Sequence, residues 1–429
     1  MNPKLKFENH KSHLFEMINA AVAAVDPYKS TQKLLKLDKN RLSIGDQEFD
    51  LNAGRLLIVA IGKAAVPMAN GVVDQLGRWV DSGVAVTKKG QTQKVSHPAV
   101  QTLFAAHPVP DESSIKAADL IIELLEQTAE GDLVLFLISG GASALCTRPL
   151  LEMEDWQALS QALLASGCSI QEFNTVRKQL DGVKGGGLGQ MVSGANMMTL
   201  VLSDVIGNPI DMIGSGPTVP NSQIPADALA ILEKYEIDSP VAVKKLKETP
   251  HSQHDFDSPF EFVGDLKIAC QAAKEAATKL GLHAKILTTK LDGEAREVGA
   301  LAAGIAKELE PGVCVIMGGE TTVTLTGTGI GGRNQELALA AAIDLAGVAD
   351  VVIATYATDG DDGPTNAAGA IVTGETVKSG LGLGLRAADY LARNDSFTYF
   401  EQVEEHLIIT GQTGTNVNDL LFIIRYGRV

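Results

Sequence analysis

Aromatic side chains make up only 5% of this 429-residue sequence, and cysteine occurs four times. Cys146, Cys168, Cys270 and Cys314 lie far apart in no metal-ligand spacing, which excludes a disulfide scaffold and a Cys-based zinc site and predicts reduced thiols in a cytoplasmic protein. Positive charge is also in deficit, with 36 Lys+Arg against 52 Asp+Glu and a net charge of −16. So acidic a chain offers no general surface for nucleic acid or an anionic membrane. No apolar run approaches the ~18 residues of a membrane span. The opening stretch MNPKLKFENHKSHLFEMINAAVAAV has no uninterrupted apolar region after its basic residues, so no signal peptide is expected. The P-loop pattern G-x-x-x-x-G-K-[ST], the protein-kinase loop set and the twelve-residue EF-hand pattern are all missing.

What the sequence does have is small-residue turns placed at strand ends. With 45% hydrophobic residues and 43 glycines, and a length beyond the roughly 250–300 residues of one core, it reads as an α/β protein of two domains. The first is expected over residues 1–250 and the second over residues 260–429. The polar stretch 251–259 (HSQHDFDSP) reads as the linker rather than as a metal site. From residue 260 onward strands alternate with helices, which predicts a parallel sheet with right-handed crossovers.

The chain is organised around residues 313–346. A buried strand, VCVIM, ends in Gly318-Gly319. A loop with Gly327, Gly329, Gly331 and Gly332 follows, and then a strong helix former beginning near Arg333. Such a loop points N–H groups at one spot beside a helix N-terminus, and an anion is its natural occupant. The guanidinium of Arg333 could hold a phosphate or carboxylate bidentately; the alternative is a surface pair with Glu336 or a neighbouring acid, and the density of glycines before Arg-Asn-Gln-Glu favours the ligand reading.

Similar turns recur. The apolar strand 56–61 (LLIVAI) runs into Gly62-Lys63, where open α/β sheets bind ligands. The strand 132–138 ends in Ser139-Gly140-Gly141-Ala142-Ser143, a second anion cradle by the same reasoning. A helix over 170–180 carries Asn174, Arg177 and Lys178, and Lys184-Gly185-Gly186-Gly187 forms a third glycine loop. Asp204 closes the strand 197–202 and is placed to accept a proton, meet a metal or simply cap a turn; Ser215 and Gly216 lie in the polar segment after it. Further on, Asp359 and Asp362 could bind Mg²⁺ or hydroxyls, and Thr413, Gly414 and Asn416 suit a phosphate or sugar edge. His107, between a strand end and two prolines, could line a cleft, though loop architecture is the simpler reading of these residues. Cations at some strand ends and acids at others are what phosphoryl transfer requires.

The ordered motifs IGKAA (61–65), HPVPD (107–111), SGGASAL (139–145), NTVRKQLDGVKGGGL (174–188), LSDVIGNPIDMIGSGPTVP (202–220), GGETTVTLTGTGIGGRNQE (318–336), ATDGDDGP (357–364) and GTNVND (414–419) together resemble the glycerate kinases that form 2-phosphoglycerate, a family known by its C-terminal MOFRL domain. The resemblance covers nearly the whole length. It implies ATP-dependent phosphorylation of D-glycerate on its 2-hydroxyl with Mg²⁺, in a cleft between an N-terminal Rossmann-like doubly wound domain and a C-terminal α/β (MOFRL) domain, with Lys63, Arg333 and Asp204 catalytic. The substrate- and phosphate-binding set expected with it is Ser139, Gly140, Gly141, Ser143, Asn174, Arg177, Lys184, Gly185, Gly186, Ser215, Gly216, Glu320, Gly331, Gly332, Asn334, Thr413, Gly414 and Asn416. Asp359 and Asp362 are the expected metal ligands. The implied partners are small molecules, D-glycerate and ATP, without nucleic acid or membrane, and a homodimer is the assembly considered. The sequence departs from the family pattern at Asp181, where serine is usual, and at Gly187, where arginine is common. Members of the family have also been labelled hydroxypyruvate reductases. The G-x-G-x-x-G spacing at 327–332 supports that reading weakly, because no ribose-binding acid follows about twenty residues on in strand context.

Overall fold

A computed structural model describes residues 6–192, 194–249, 256–403 and 405–427. The chain forms two compact units, Pro27–Val263 and a second made of the residues up to Asp26 together with Gly264 onward.

The Pro27–Val263 unit opens with an antiparallel three-stranded sheet, β1 (Lys36–Asp38), β2 (Arg41–Ile44) and β3 (Gln47–Asp50). Its main sheet holds β4 (Leu56–Ile61), β5 (Val80–Lys88), β6 (Val100–Ala105), β7 (Leu133–Ser139), β8 (Asn196–Leu202) and β9 (Phe260–Gly264), in the order β6-β5-β4-β7-β8-β9. β4 and β7 are buried along their whole length, which is why they read as unbroken apolar runs. Fully buried side chains such as Leu57 and Phe136 each contribute roughly 1.5–3 kcal/mol. The strands are laid down outward from β4 to β6, and the chain then returns to place β7 on the other side of β4. The strand order therefore reverses between β4 and β7, and this switch point is where an open α/β sheet leaves a crevice. A helical annex with its own core of Trp156, Leu159, Phe173, Val176, Leu232 and Leu246 adjoins the sheet.

The other unit is built on β10 (His283–Leu291), β11 (Val313–Gly319), β12 (Val351–Ala357), β13 (Gly369–Thr373), β14 (Leu407–Ile408) and β15 (Asp419–Arg425), ordered β10-β11-β15-β12-β13-β14. The parallel sheet predicted here is not formed. Only β10 and β11 pair in parallel, while β15 lies antiparallel between β11 and β12. The helical crossover over residues 333–344 does bring β12 back in the direction of β11, but the last strand of the chain inserts between them.

Two boundaries also differ from those expected. Helix His10–Ala24 belongs to the second unit, because its apolar face of Leu14, Met17, Ile18 and Ala21 packs on helix Leu266–Leu280. His13 Nδ1 lies 3.0 Å from the Tyr426 hydroxyl, and Thr415 donates to the Val25 carbonyl at 2.8 Å. At the other boundary, β9 joins the first sheet as its edge strand, and the Thr199 N–H donates to the Pro259 carbonyl at 2.9 Å. Of the stretch read as a linker, residues 251–255 lie outside the described residues.

Candidate active site

At the β4/β7 switch the two strand-end turns are laced together. The Lys63 N–H donates to the Gly140 carbonyl at 2.9 Å, and the Ala64 N–H to Ser139 Oγ at 3.1 Å. Ser139, 1% exposed, is thus spent on holding the turn. Glycine is required at two positions for what it admits. A Cβ on Gly140 would lie 2.0 Å from Asp204 Oδ2. One on Gly141, whose φ is +87°, would meet the His107 ring at 3.0 Å and Lys63 Cγ at 3.4 Å. Bare backbone therefore lets an ammonium, a carboxylate and an imidazole converge. Burial raises the Asp204 carboxyl pKa, with Lys63 pulling the other way, while burial and the charges of Lys63 and Lys88 hold the His107 imidazole below its ordinary value. His107, which reads from sequence as part of a loop, is a member of this cluster. The helix after Gly141 spans only Ala142–Leu145, so its dipole adds little to an anion cradle.

Beside this cluster is a cavity of about 290 Å³, with His107, Gly141, Ser143 and Arg177 in its wall and Trp156 and Phe173 on its apolar side. Helix Ile170–Gln179 starts at a capping box in which Ser169 and Glu172 bond each other's backbone N–H. Helical spacing then sets Phe173, Asn174 and Arg177 on one face. The Arg177 guanidinium stacks 4.3 Å over the Phe173 ring. Its Nη1 is 3.5 Å from both Asn174 Oδ1 and Ser215 Oγ. Ser215 donates to Asn174 at 3.0 Å and lies 2.9 Å from the Ser143 hydroxyl. Ser143, Asn174, Arg177 and Ser215, four residues named from sequence, thus form one connected group. Burial pulls the Arg177 pKa down to about 10, and the charge of Asp181 opposes this only weakly.

Other parts of the expected site are used differently. Lys184 is 4% exposed and donates to the Cys146 carbonyl. The N–H groups of Gly185 and Gly186 donate to the carbonyls of Ser215 at 2.9 Å and Gly216 at 2.7 Å. This loop is a backbone clasp on the segment carrying Ser215 rather than an anion cradle. Asp181 stays inside the fold, accepting from the Thr147 hydroxyl and from the N–H groups of Arg148 and Val183. At Gly187 a Cβ would sit 2.2 Å from the Gly182 carbonyl oxygen, so arginine would not fit this backbone unchanged.

In the second unit, the anion at the N-terminus of helix Arg333–Asp344 is the chain's own Asp362. Its Oδ1 accepts from the Asn334 N–H at 3.1 Å and its Oδ2 from the Gln335 N–H at 2.9 Å. Around the glycine loop, Gly327 donates to Asn394 Oδ1 at 2.9 Å, Gly329 to the Arg393 carbonyl at 3.0 Å and Ile330 to Asp395 Oδ1 at 3.0 Å. A Cβ on Gly332 would collide with the Asp362 carboxylate at 2.2 Å, and one on Gly331 with Ser396 Oγ at 2.2 Å. The N–H groups of Gly327, Gly329, Ile330 and Asn334 are thus taken by internal acceptors, while Gly331 and Gly332 pack against Ser396 and Asp362. Sequence gave no sign of this, since Asn394, Asp395 and Asp362 are distant from the loop along the chain.

Arg333 is held by Asp419 through Nε at 2.5 Å and Nη2 at 3.1 Å, and by Glu320 through Nη1 at 2.7 Å. Burial works against its charge, but the pairing with Asp419 and Glu320 outweighs that and keeps it protonated. Thr413 donates to the Thr358 carbonyl at 2.6 Å, and Asn416 Oδ1 accepts from the Asn418 N–H at 3.0 Å, so both shape their turn; Gly414 faces open space.

Among the described residues no group of three or more His, Cys, Asp or Glu is placed to hold a metal. Asp362, 2% exposed with both oxygens engaged, does not fit a metal-ligand role. Asp359 is half-buried, accepts one N–H from Asp361 at 3.3 Å and has its carboxyl pKa raised by burial. It could supply one oxygen to a cation carried by a phosphorylated ligand.

The chain matches two family models in succession: a domain of unknown function (DUF4147) over residues 13–248 and the MOFRL family over residues 313–419. It is 43% identical to the D-glycerate 2-kinase of Thermotoga maritima, covering 96% of this chain and 98% of that protein. It is 37% identical to the glycerate 2-kinase of Pyrococcus horikoshii, covering 95% and 96%. The crystal structure of a glycerate kinase from Thermotoga maritima aligns with a TM-score of 0.89 at 41% identity, over 97% of this chain and 100% of that one.

Proposed function

The chain belongs to the glycerate kinase family that joins a DUF4147 domain to a MOFRL domain, and on that premise we propose that it transfers the γ-phosphoryl group of ATP to the 2-hydroxyl of D-glycerate, giving 2-phospho-D-glycerate and ADP. The observation that carries the chemistry is the meeting of Lys63 and Asp204 at side-chain-free Gly140 and Gly141, on the topological switch point of the sheet.

In this reading Asp204 accepts the proton of the attacking hydroxyl, and its raised pKa makes it a better base than an ordinary carboxylate near neutral pH. The Lys63 ammonium offsets charge on the transferring group, and the oxygen–phosphorus bond to ADP breaks as the bond to the glycerate oxygen forms. Arg333, held protonated and aimed by Asp419, is the further cation proposed to act on phosphoryl charge. Mg²⁺ would enter with the ATP phosphates, whose charge it neutralises, and Asp359 is the carboxylate suited to it. A cytoplasmic setting is part of the proposal and agrees with four free cysteines; no helix among the described residues is long and apolar enough to cross a membrane.

The glycine loop at 327–332, whose spacing suggested a dinucleotide, has N–H groups already bonded to Asn394, Arg393 and Asp395, so nothing there favours a reductase. The test is an assay with D-glycerate, ATP and Mg²⁺ coupled through enolase without phosphoglycerate mutase. Signal is expected, because only the 2-phosphate is an enolase substrate. Consumption of NADH or NADPH with hydroxypyruvate, and no ADP from glycerate, would overturn the proposal.

A further inference from the structure

The position of Arg177 is unusual for a cation. It lies within the wall of a cavity, stacked on Phe173 and half-buried, yet no carboxylate among the described residues forms an ion pair with it. Among the described residues its hydrogen-bonding neighbours are neutral, Asn174 Oδ1 and Ser215 Oγ, each at the long distance of 3.5 Å, and Asp181 acts on it only through space. A partly desolvated guanidinium in a cavity wall with no direct anionic partner has N–H groups left to offer an anion that enters the cavity. The other buried cations of this unit lack that vacancy, since Lys178 pairs with Asp211 at 2.8 Å and Lys184 is bonded to Cys146.

We infer that Arg177 is the carboxylate clamp of the hydroxy-acid substrate, receiving the acid group between its guanidinium and the hydroxyl of Ser143, with Ser215 behind them holding Ser143 and Asn174 in place. The inference rests on the kinase reading and deepens it. A guanidinium fork matches a carboxylate bidentately, and the surrounding hydroxyls and amide complete its hydrogen bonds. A single cation balances the single charge of a carboxylate. A nucleoside triphosphate, with about four charges, would call for several cations along this wall. The geometry also orders the substrate. Ser143 lies three residues from Gly140, the residue against which Asp204 rests, and Gly141 adjoins both the cavity and Lys63. An acid held at Arg177 and Ser143 lies in the cavity that Gly141 also lines, and the inference places its neighbouring hydroxyl on that side, by the turn where Asp204 and Lys63 meet. Arg177 therefore selects for an acid over an otherwise identical neutral polyol.

The experiment compares wild type, Arg177→Met and Arg177→Lys in the kinase assay with D-glycerate, with its neutral amide, and with ATP varied separately. In Arg177→Met the KM for glycerate is expected to rise 100-fold or more, the KM for ATP to stay within threefold, and the preference for glycerate over the amide to collapse. Arg177→Lys, which keeps charge but loses the fork, should recover part of that preference, and it carries the test alone if the Met variant does not fold. An unchanged preference for glycerate in either folded variant overturns the clamp, as does a rise confined to the KM for ATP, which would make the bound anion a nucleotide phosphate. Absence of turnover by the wild type would instead sink the kinase reading itself.

Discussion

Arg333 and Asp419 are joined at two points, Nε to Oδ2 at 2.5 Å and Nη2 to Oδ1 at 3.1 Å, so the planar guanidinium has one allowed orientation. Glu320 takes the remaining edge from a more exposed position, its side chain 43% accessible against 11% for Asp419. Asp419 is thus the structural partner and Glu320 the exchangeable one. Asp419→Asn should lower the melting temperature, since breaking a buried pair costs about 3–5 kcal/mol. It should also lower kcat by more than it raises KM, because a misaligned cation loses stabilisation made only in the transition state. Glu320→Gln should leave the melting temperature within a degree or two, and an equal drop in both variants would contradict this division.

Asp204→Asn is expected to reduce kcat by roughly 10²–10⁴, the usual contribution of a positioned general base. The pH profile carries the sign. Base catalysis needs the ionised carboxylate, and burial raises its pKa, so kcat/KM of the wild type should climb with pH through an acid limb displaced above the ordinary carboxylate range. That limb should disappear in the variant's residual activity, and a limb that persists would assign it to another group.

Gly140→Ala tests the role of bare backbone. The added methyl would fall 2.0 Å from Asp204 Oδ2, so the carboxylate must move. Activity should fall at least tenfold while the protein stays folded, and a crystal structure should show Asp204 displaced. Wild-type kcat in this variant would mean that the contact is irrelevant to catalysis.

Asp362 provides a stability test. Its folded-state pKa is raised by burial to about 6, against an ordinary value of 3.8. The folded protein therefore binds this proton more tightly than the unfolded chain, and the group's contribution to stability falls as pH rises from about 4 to about 6. Above that window the contribution is constant. Asp362→Asn should flatten this slope relative to wild type in melting curves taken across the window.

Lys184→Met should lower stability, because the ammonium ties the glycine clasp to Cys146, and leave the KM for ATP unchanged in the folded protein. A large rise in that KM would return Lys184 to the phosphate-binding set.

The glycine-rich turns show how far local pattern reaches. All three carry the same signal, small residues just before a helix start with a cation nearby. At Gly140 and Gly141 the turn brings functional groups together, at Gly185 and Gly186 it clasps another backbone, and at Gly331 and Gly332 it closes on Asp362 and Ser396. Bare backbone permits close approach without specifying what approaches. His107 reads from sequence as loop architecture and Asp419 is given no role there for the same reason, since their neighbours lie far away in sequence.

Hydrophobic periodicity alone determined the elements of the first sheet, because a strand buried on both faces must be apolar throughout, as LLIVAI and LVLFLIS are. The ordered motifs likewise determined the family. Tertiary structure decided the rest: that the first helix packs on the second unit, that β15 inserts between β11 and β12, and which acid meets which cation. Periodicity reports how much of a residue is buried, while the choice of neighbour is made by long-range packing that no local window contains.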